Sequence, residues 1–138
     1  MTKPLYLLAV LAVALAACDG QTDEDLNPNP ALLVGTWVWE RSESYGLGEP
    51  AVETPATTSR TETLVFRPDG TFAEFGVDHV ADPPEFGRGG TYEARDGSVR
   101  AQVDGREVWL GTFRVGDDRL VLSTAPADGP EKTYRRAD

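Results

Sequence analysis

The chain has 138 residues, with 13 Lys and Arg against 23 Asp and Glu, and a formal net charge of −10 at pH 7. A chain of this length forms one small domain rather than two, and its negative charge argues against binding to nucleic acid or to anionic headgroups. It contains one cysteine, Cys18, which excludes an internal disulfide.

The first 17 residues have the layout of a secretory signal. Lys3 gives a basic start, residues 5–17 carry no charge, and acidic residues follow from Asp19. As a helix, residues 5–17 would cover only about 20 Å at ~1.5 Å per residue, which is too short for a bilayer core of ~30 Å. Residues 1–17 are therefore predicted to be a removable signal peptide and not a membrane span.

The end of this segment reads Leu15-Ala16-Ala17-Cys18 and resembles the signal of bacterial lipoproteins, in which a leucine and two small residues precede an acylated cysteine. The resemblance implies that Cys18 becomes the first mature residue and that its acyl chains, palmitate among them, anchor the protein to the inner or outer membrane. The predicted location is the bacterial cell envelope, on its periplasmic or cell-surface face. The alternatives are an ordinary signal peptide with a chance cysteine and an uncleaved core segment.

Residues 18–30 are acidic and contain two prolines, Pro28 and Pro30. Such a segment cannot bury enough apolar surface to order itself, so we predict a flexible tether. Removal of residues 1–17 takes away Lys3 and no acid, which leaves a mature chain with a charge of −11. The folded domain is predicted over residues 31–138.

Beyond the tether the apolar residues alternate with a period of two, and turn signals such as Asp96-Gly97 and Asp104-Gly105 recur. The pattern predicts an all-β fold, a small antiparallel up-and-down barrel of about eight strands, because closing a meander removes its exposed edges. The segment 45–58, with several Gly and Pro residues, is predicted to be a loop. The predicted strands are 34–44, 60–67, 71–79, 90–95, 98–103, 106–115, 119–124 and 131–136.

Glycine, threonine and an aromatic residue occur together four times, beginning at Gly35, Gly70, Gly90 and Gly111. Glycine frees the backbone at a strand start, threonine favours the extended form, and the ring supplies core area. Four copies indicate a repeated hairpin design. Strand 106–115 is apolar on both faces, which predicts either a strand covered on both sides or an exposed patch.

The residues Leu33-Val34-Gly35-Thr36-Trp37 resemble the start of the first strand in lipocalin-like (calycin-type) barrels, where a hydrophobic residue is followed by Gly, any residue and Trp. The resemblance covers about residues 31–136. It implies a short turn over residues 29–32, a tight backbone at Gly35, and a closed barrel end plugged by Trp37.

The same resemblance implies that an arginine near the end of the last strand lies across the Trp37 ring and ties the chain ends together. Arg135 and Arg136 both stand at the matching place. A guanidinium over an indole would contribute ~0.5–2 kcal/mol.

The interior of an eight-stranded barrel either holds one small ligand or is filled by side chains. Both alternatives remain open for the aromatic residues of the strands. The candidates for lining a ligand pocket are Trp39, Phe66, Phe75, Tyr92 and Trp109.

Catalytic and metal sites find little support in the sequence. His79 is the one histidine, and its neighbour Asp78 would point to the opposite face of a strand, so the two cannot form a base and its orienting acid. No second histidine or cysteine is present to complete a zinc or copper site. We therefore expect no enzymatic activity, no metal and no cofactor.

Three functional hypotheses follow. The first is a membrane-tethered lipocalin-like module that binds a small hydrophobic ligand. The second is a non-enzymatic interaction module with a filled barrel, an inhibitor or assembly factor, whose loops 45–58 and 80–89 contact an envelope protein. The third is a hydrolase of unrecognised type. The expected partners are a membrane through lipidated Cys18 and a small apolar ligand or an envelope protein, with no nucleic acid, and the expected state is a monomer.

Overall fold

Antiparallel pairing between the first and last strands closes the sheet into a barrel. The computed structural model describes residues 25–46, 50–124 and 129–137. The elements are α1 (Pro30–Leu33), β1 (Gly35–Ser44), β2 (Val52–Pro55), β3 (Arg60–Phe66), β4 (Thr71–Asp78), β5 (Glu85–Arg95), β6 (Ser98–Val103), β7 (Arg106–Val115), β8 (Arg119–Ser123) and β9 (Glu131–Ala137). The sheet order is β2-β1-β3-β4-β5-β6-β7-β8-β9. Eight strands form the wall and β2 adds to β1, which confirms the predicted all-β barrel.

The predicted signal peptide, Cys18 and the first part of the predicted tether lie outside the described residues. The last part of that tether belongs to the folded domain. Leu26 is buried, and the backbone of Asn27 exchanges two hydrogen bonds with that of Val115 on β7. Within the described ranges, no helix is long and apolar enough to cross a membrane.

Seven of the eight predicted strands agree with β1, β3, β4 and β6 to β9 to within one residue at each end. The turns that join β5, β6 and β7 explain why. Asp96 and Gly97 have φ values of 52° and 73°, and Asp104 and Gly105 have values of 51° and 75°. Two consecutive positive φ angles define the turn type that suits the twist of a hairpin, and Asp-Gly adopts it readily.

Two predictions are wrong. The segment 45–58 is not all loop, because β2 (Val52–Pro55) pairs with β1; β2 is four exposed residues long and ends in proline, so it carries little strand signal. The fifth predicted strand, 90–95, actually begins at Glu85, so the predicted loop 80–89 is half strand. Its first half reads Glu-Phe-Gly-Arg-Gly, and glycine is depleted in strands.

A β-bulge in β7 explains why this strand is apolar on both faces. The register with β6 shifts beside Leu110, and Gly111 has a φ of 140°. Before the bulge Leu110 is buried, and after it Phe113 and Val115 are buried. The inward-facing residues therefore have even numbers before the bulge and odd numbers after it. Trp109 is left on the outer side, 41% exposed.

The core fills one end of the barrel. This end is formed by α1 and the turns after β3, β5 and β7, and we call it the closed end. The aromatic rings of the four Gly-Thr-aromatic repeats all point inward there or towards the middle of the barrel: Trp37, Phe72 and Phe113 are buried and Tyr92 is half-buried. The opposite end, where β4 and β8 finish, is the open end. Its interior is lined differently, and the candidate site lies there.

Candidate functional site

At the closed end, Trp37 and Arg136 form the contact that the lipocalin resemblance implies. The Arg136 guanidinium carbon lies 4.2 Å from the centre of the Trp37 ring, and the indole Nε1 donates to the Leu33 carbonyl at 2.8 Å. Arg136 donates from Nη1 to the Val34 carbonyl at 2.9 Å and from Nη2 to the Leu32 carbonyl at 2.8 Å. These bonds join the last strand to the helical turn that precedes the first.

The structure assigns the two candidate arginines different places. Arg135 points outward and lies 3.5 Å from Glu40, with its side chain 70% exposed. Gly35 has a φ of 151°, and a Cβ there would lie 2.3 Å from Nη1 of Arg136. Glycine is therefore needed at this position because any side chain would displace the guanidinium.

Phe66 and Tyr92, two of the five predicted ligand-lining residues, lie together in the packed closed end. Their ring centres are 4.9 Å apart in an edge-to-face arrangement, and Phe66 is 1% exposed. The Tyr92 hydroxyl donates to the Arg67 carbonyl at 3.1 Å. Burial, followed by the charge of Asp69, raises the pKa of the Tyr92 phenol.

The other three predicted ligand-lining residues lie apart from one another. Phe75 faces outward on β4 and is 48% exposed, and Trp109 lies under the Arg100 guanidinium, 5.6 Å away, on the outer side of β7. Trp39 faces inward and is 5% exposed. The structure thus brings together Phe66 and Tyr92 and separates Trp39, Phe75 and Trp109.

Charged side chains line the barrel interior at the open end, and the sequence-based reasoning missed them. Glu62 is buried; Lys132 Nζ donates to its Oε2 at 2.5 Å and the Tyr134 hydroxyl donates to its Oε1. Glu74 on β4 pairs with Arg88 on β5. A signal was present, because Glu62 has the same strand parity as the buried residues Leu64 and Phe66.

Tyr134 is fully buried beneath this charged layer. Burial, then the charge of Glu62 and the hydrogen bond to it, raise the pKa of the Tyr134 phenol well above its ordinary value. The phenol therefore stays protonated and serves as a donor to Glu62. The hydroxyl of Tyr134 marks the boundary between the apolar core and the polar open end.

The barrel wall parts beside Trp39. β1 pairs with β3 only over Gly35–Val38, and beyond a bulge next to Glu40 it pairs with β2 on that side. A pocket of about 190 Å³ lies at this parting. Its lining residues are Trp39, Ser42, Arg60, Thr61, Glu62, Val77, Asp78, Phe86 and Lys132.

A smaller cavity of about 130 Å³ adjoins this pocket. The two share Glu62 and Lys132, and the smaller one also touches Glu74, Arg88 and Trp109. Trp39 and Trp109 thus border different spaces, and Phe66 borders neither. The open end therefore offers two small adjoining spaces lined by charged groups rather than one deep apolar cavity.

The pocket beside Trp39 combines donors, acceptors and apolar surface. The Arg60 guanidinium carbon lies 5.6 Å from the centre of the Trp39 ring, and Nε of Arg60 lies 3.6 Å from Oδ2 of Asp78. The Trp39 indole nitrogen is buried and has no hydrogen-bond partner. The lining thus combines two cations, two carboxylates and the rings of Trp39 and Phe86.

His79 is exposed just after β4. Across residues 25–46, 50–124 and 129–137, no group of three or more His, Cys, Asp or Glu side chains is placed to hold a metal ion.

The chain was compared with protein-family models and with curated proteins. No family model matches it, and no curated protein matches it significantly.

Proposed function

We propose that this protein is a lipid-anchored protein of a bacterial cell envelope that binds a small ligand at the open end of its barrel, without catalysing a reaction. The observation that carries the ligand-binding proposal is the pocket beside Trp39, which is lined on several sides and borders a residue whose buried indole nitrogen has no acceptor. Buried polar groups are nearly always paired in folded proteins. An unpaired donor on a residue that lines a pocket therefore supports a bound molecule.

The contrast with the closed end supports the same location. At the closed end Trp37, Phe66 and Tyr134 are almost fully buried and fill the interior. At the open end, Glu62, Glu74 and Arg88 reduce the apolar area that a ligand would contact. We therefore propose a ligand that is small and partly polar, in a lipocalin-like barrel whose deep interior is filled.

The experiment for ligand binding is native mass spectrometry of the protein purified from its own host. The chain should begin at or before Asp25, because Leu26 is buried and Asn27 pairs with Val115. We expect a bound small molecule that is lost in Trp39→Phe and kept in Trp109→Phe, the same change at a residue that borders the smaller space and not this pocket. A protein that is bare in all three preparations would contradict the proposal.

The anchoring proposal rests on Leu15-Ala16-Ala17-Cys18 and is tested separately. Cys18→Ser removes the sulfur that the resemblance implies is acylated, and we expect the variant to leave the membrane fraction. Cys18→Ser that sediments with membranes as firmly as the wild-type protein would contradict a lipid anchor. Metabolic labelling with a palmitate analogue, expected only in the wild-type protein, identifies the modification.

A second candidate function, docking to an envelope protein, is favoured by the outer face of β4. Ala73, Phe75 and Val77 follow one another on that face without a charge, beside a shallow groove of about 330 Å³. Large apolar surface that water contacts is a common mark of an interaction site. A photo-crosslinker at Phe75 should then form one discrete adduct in the host that the same crosslinker at Trp109 does not form.

A further inference from the structure

The hydrogen-bond donor of Trp39 differs from every other buried side-chain polar atom in the described ranges, because it alone has no partner. The ring is 5% exposed, so water has little access to it. Trp37, two residues earlier on the same strand, gives its indole hydrogen to the Leu33 carbonyl at 2.8 Å. A buried donor without an acceptor is costly, and an acceptor from outside the chain would remove that cost.

The charged groups around Trp39 already have partners. Lys132 Nζ lies 2.5 Å from Oε2 of Glu62, and Nε of Arg60 lies 3.6 Å from Oδ2 of Asp78. The pocket lining therefore contains two cations and two anions and has no net charge. A charged ligand that paired with one member of an ion pair would leave the other member without a partner. The pocket therefore favours an uncharged molecule.

The size of the pocket limits the ligand further. A volume of about 190 Å³ is that of about six water molecules at ~30 Å³ each. Pockets for drug-sized ligands measure ~300–1,000 Å³. A single small ring fits, whereas a long acyl chain does not. Phe86 supplies the apolar contact for such a ring.

From these observations we infer that the pocket beside Trp39 binds a small, uncharged, cyclic molecule whose carbonyl oxygen accepts a hydrogen bond from the Trp39 indole. This inference rests on the proposed ligand-binding function and names the chemical class of the ligand. Arg60, whose side chain is 57% exposed, lies across the indole at the mouth of the pocket, where it limits access to the ring. Glu62 and Lys132 hold each other and leave Trp39 as the donor.

The test uses four probes of similar shape on the full chain carrying Cys18→Ser, which keeps every residue of the barrel. Cyclohexanone offers a carbonyl, methylenecyclohexane replaces its oxygen by CH₂, and cyclohexanecarboxylate and cyclohexylamine add a charge. The indole N–H signals are followed by ¹⁵N NMR, with that of Trp39 assigned by its loss in Trp39→Phe. Decanoate serves as the long-chain probe.

We expect cyclohexanone to move the Trp39 indole proton downfield in a saturable way while the Trp37 signal stays in place. It should bind about three- to tenfold more tightly than methylenecyclohexane, which is the range one neutral hydrogen bond supplies. Trp39→Phe should lose this preference and Trp109→Phe should keep it. Because the comparison of the two uncharged probes needs no substitution near the pocket, it stands even if Trp39→Phe fails to fold.

Equal affinity for cyclohexanone and methylenecyclohexane would overturn the inferred hydrogen bond. Tighter binding of the carboxylate, the amine or decanoate would overturn the inferred ligand class and leave the proposed ligand-binding function standing. If no probe binds but the protein from its own host carries a small molecule, the inference again fails alone. If no probe binds and the host protein is bare, both fail.

Discussion

Two tryptophans stand two residues apart on β1, each with a guanidinium near its ring, and they represent the two ends of the barrel. Trp37 has Arg136 at 4.2 Å and a hydrogen bond to Leu33, whereas Trp39 has Arg60 at 5.6 Å and a donor without a partner. Every polar atom of the first pair that the structure describes binds another part of the chain. The second pair borders a pocket and includes a hydrogen-bond donor without a partner.

Similar contacts between a guanidinium and an indole ring have different roles, which depend on the groups that surround them. Around Trp37, the backbone carbonyls of Leu32 and Val34 hold the arginine in place. Around Trp39, the parting of β1 from β3 removes the neighbouring backbone that would do so. We therefore interpret the closed end as the part that stabilises the fold and the open end as the part that binds.

The largest expected effect is at Trp37. Trp37→Ala removes a fully buried ring and leaves a cavity, so we expect a loss of ~3–5 kcal/mol in the free energy of unfolding. Urea denaturation followed by circular dichroism measures it. Trp109→Ala, at a position 41% exposed, is the matched control and should lose clearly less than Trp37→Ala. Equal losses would remove the distinction between a structural and an exposed tryptophan.

The next effect is at Arg136. Arg136→Gln removes the cation–π contact and three charge-assisted hydrogen bonds to backbone carbonyls, which together should lower the free energy of unfolding by about 2–3 kcal/mol. Arg135→Gln changes the neighbouring residue on the exposed face and should cost under about 1 kcal/mol. Both are read from the midpoints of urea denaturation. If Arg135→Gln were the more damaging change, Arg136 would not be the closing residue.

Much of the barrel could be predicted from the sequence because its turns are determined locally. Asp96-Gly97 and Asp104-Gly105 set their hairpins through backbone angles that these residue types favour. The first half of β5 could not be predicted, because Gly87 and Gly89 have weak strand propensity and are held by pairing with β4. Tertiary contacts therefore determine the strand conformation of that segment.

The candidate site was harder to predict than the fold. Trp39 was among the aromatic residues predicted to line a pocket. Its unpaired donor, however, depends on where β1 leaves β3, and the bulge beside Glu40 that accompanies this parting has no distinctive sequence. The charged interior had a local signal in the parity of Glu62 and Lys132 with the buried residues Leu64 and Tyr134. The sequence-based prediction considered aromatic residues as the pocket lining instead, because their rings supply large apolar area.

Lys132 tests whether the charges at the open end act as an internal layer. Lys132→Met leaves Glu62, whose side chain is 11% exposed, without its cation, and we expect a loss of ~1–3 kcal/mol. Arg100→Met breaks an outer pair with Glu107, in which both side chains are more than half exposed, and should cost under about 1 kcal/mol. Urea denaturation of both variants provides the comparison. Similar losses would show that solvent screens the inner pair as fully as the outer one.

The smallest effect is a pH dependence that arises at the boundary between the two ends. In the unfolded chain the phenol of Tyr134 loses its proton near pH 10, whereas burial and Glu62 raise its pKa well above that value in the folded chain. Above pH 10 the folded state therefore binds more protons than the unfolded state, and stability falls as pH rises. The slope contributed by this one group approaches about 1.4 kcal/mol per pH unit.

The matched variant is Tyr134→Phe, which keeps the ring and removes the titrating group. Tyr92 also has a raised pKa and remains in both proteins, so its contribution cancels in the difference between them. We expect the wild-type protein to lose about 1 kcal/mol more than Tyr134→Phe between pH 10 and pH 11 in urea denaturation. Below pH 9 the difference between the two should be constant, since the phenol is protonated in both states. A difference that stays constant through pH 11 would mean that Tyr134 titrates at its ordinary pKa, and hence that water reaches it through the open end.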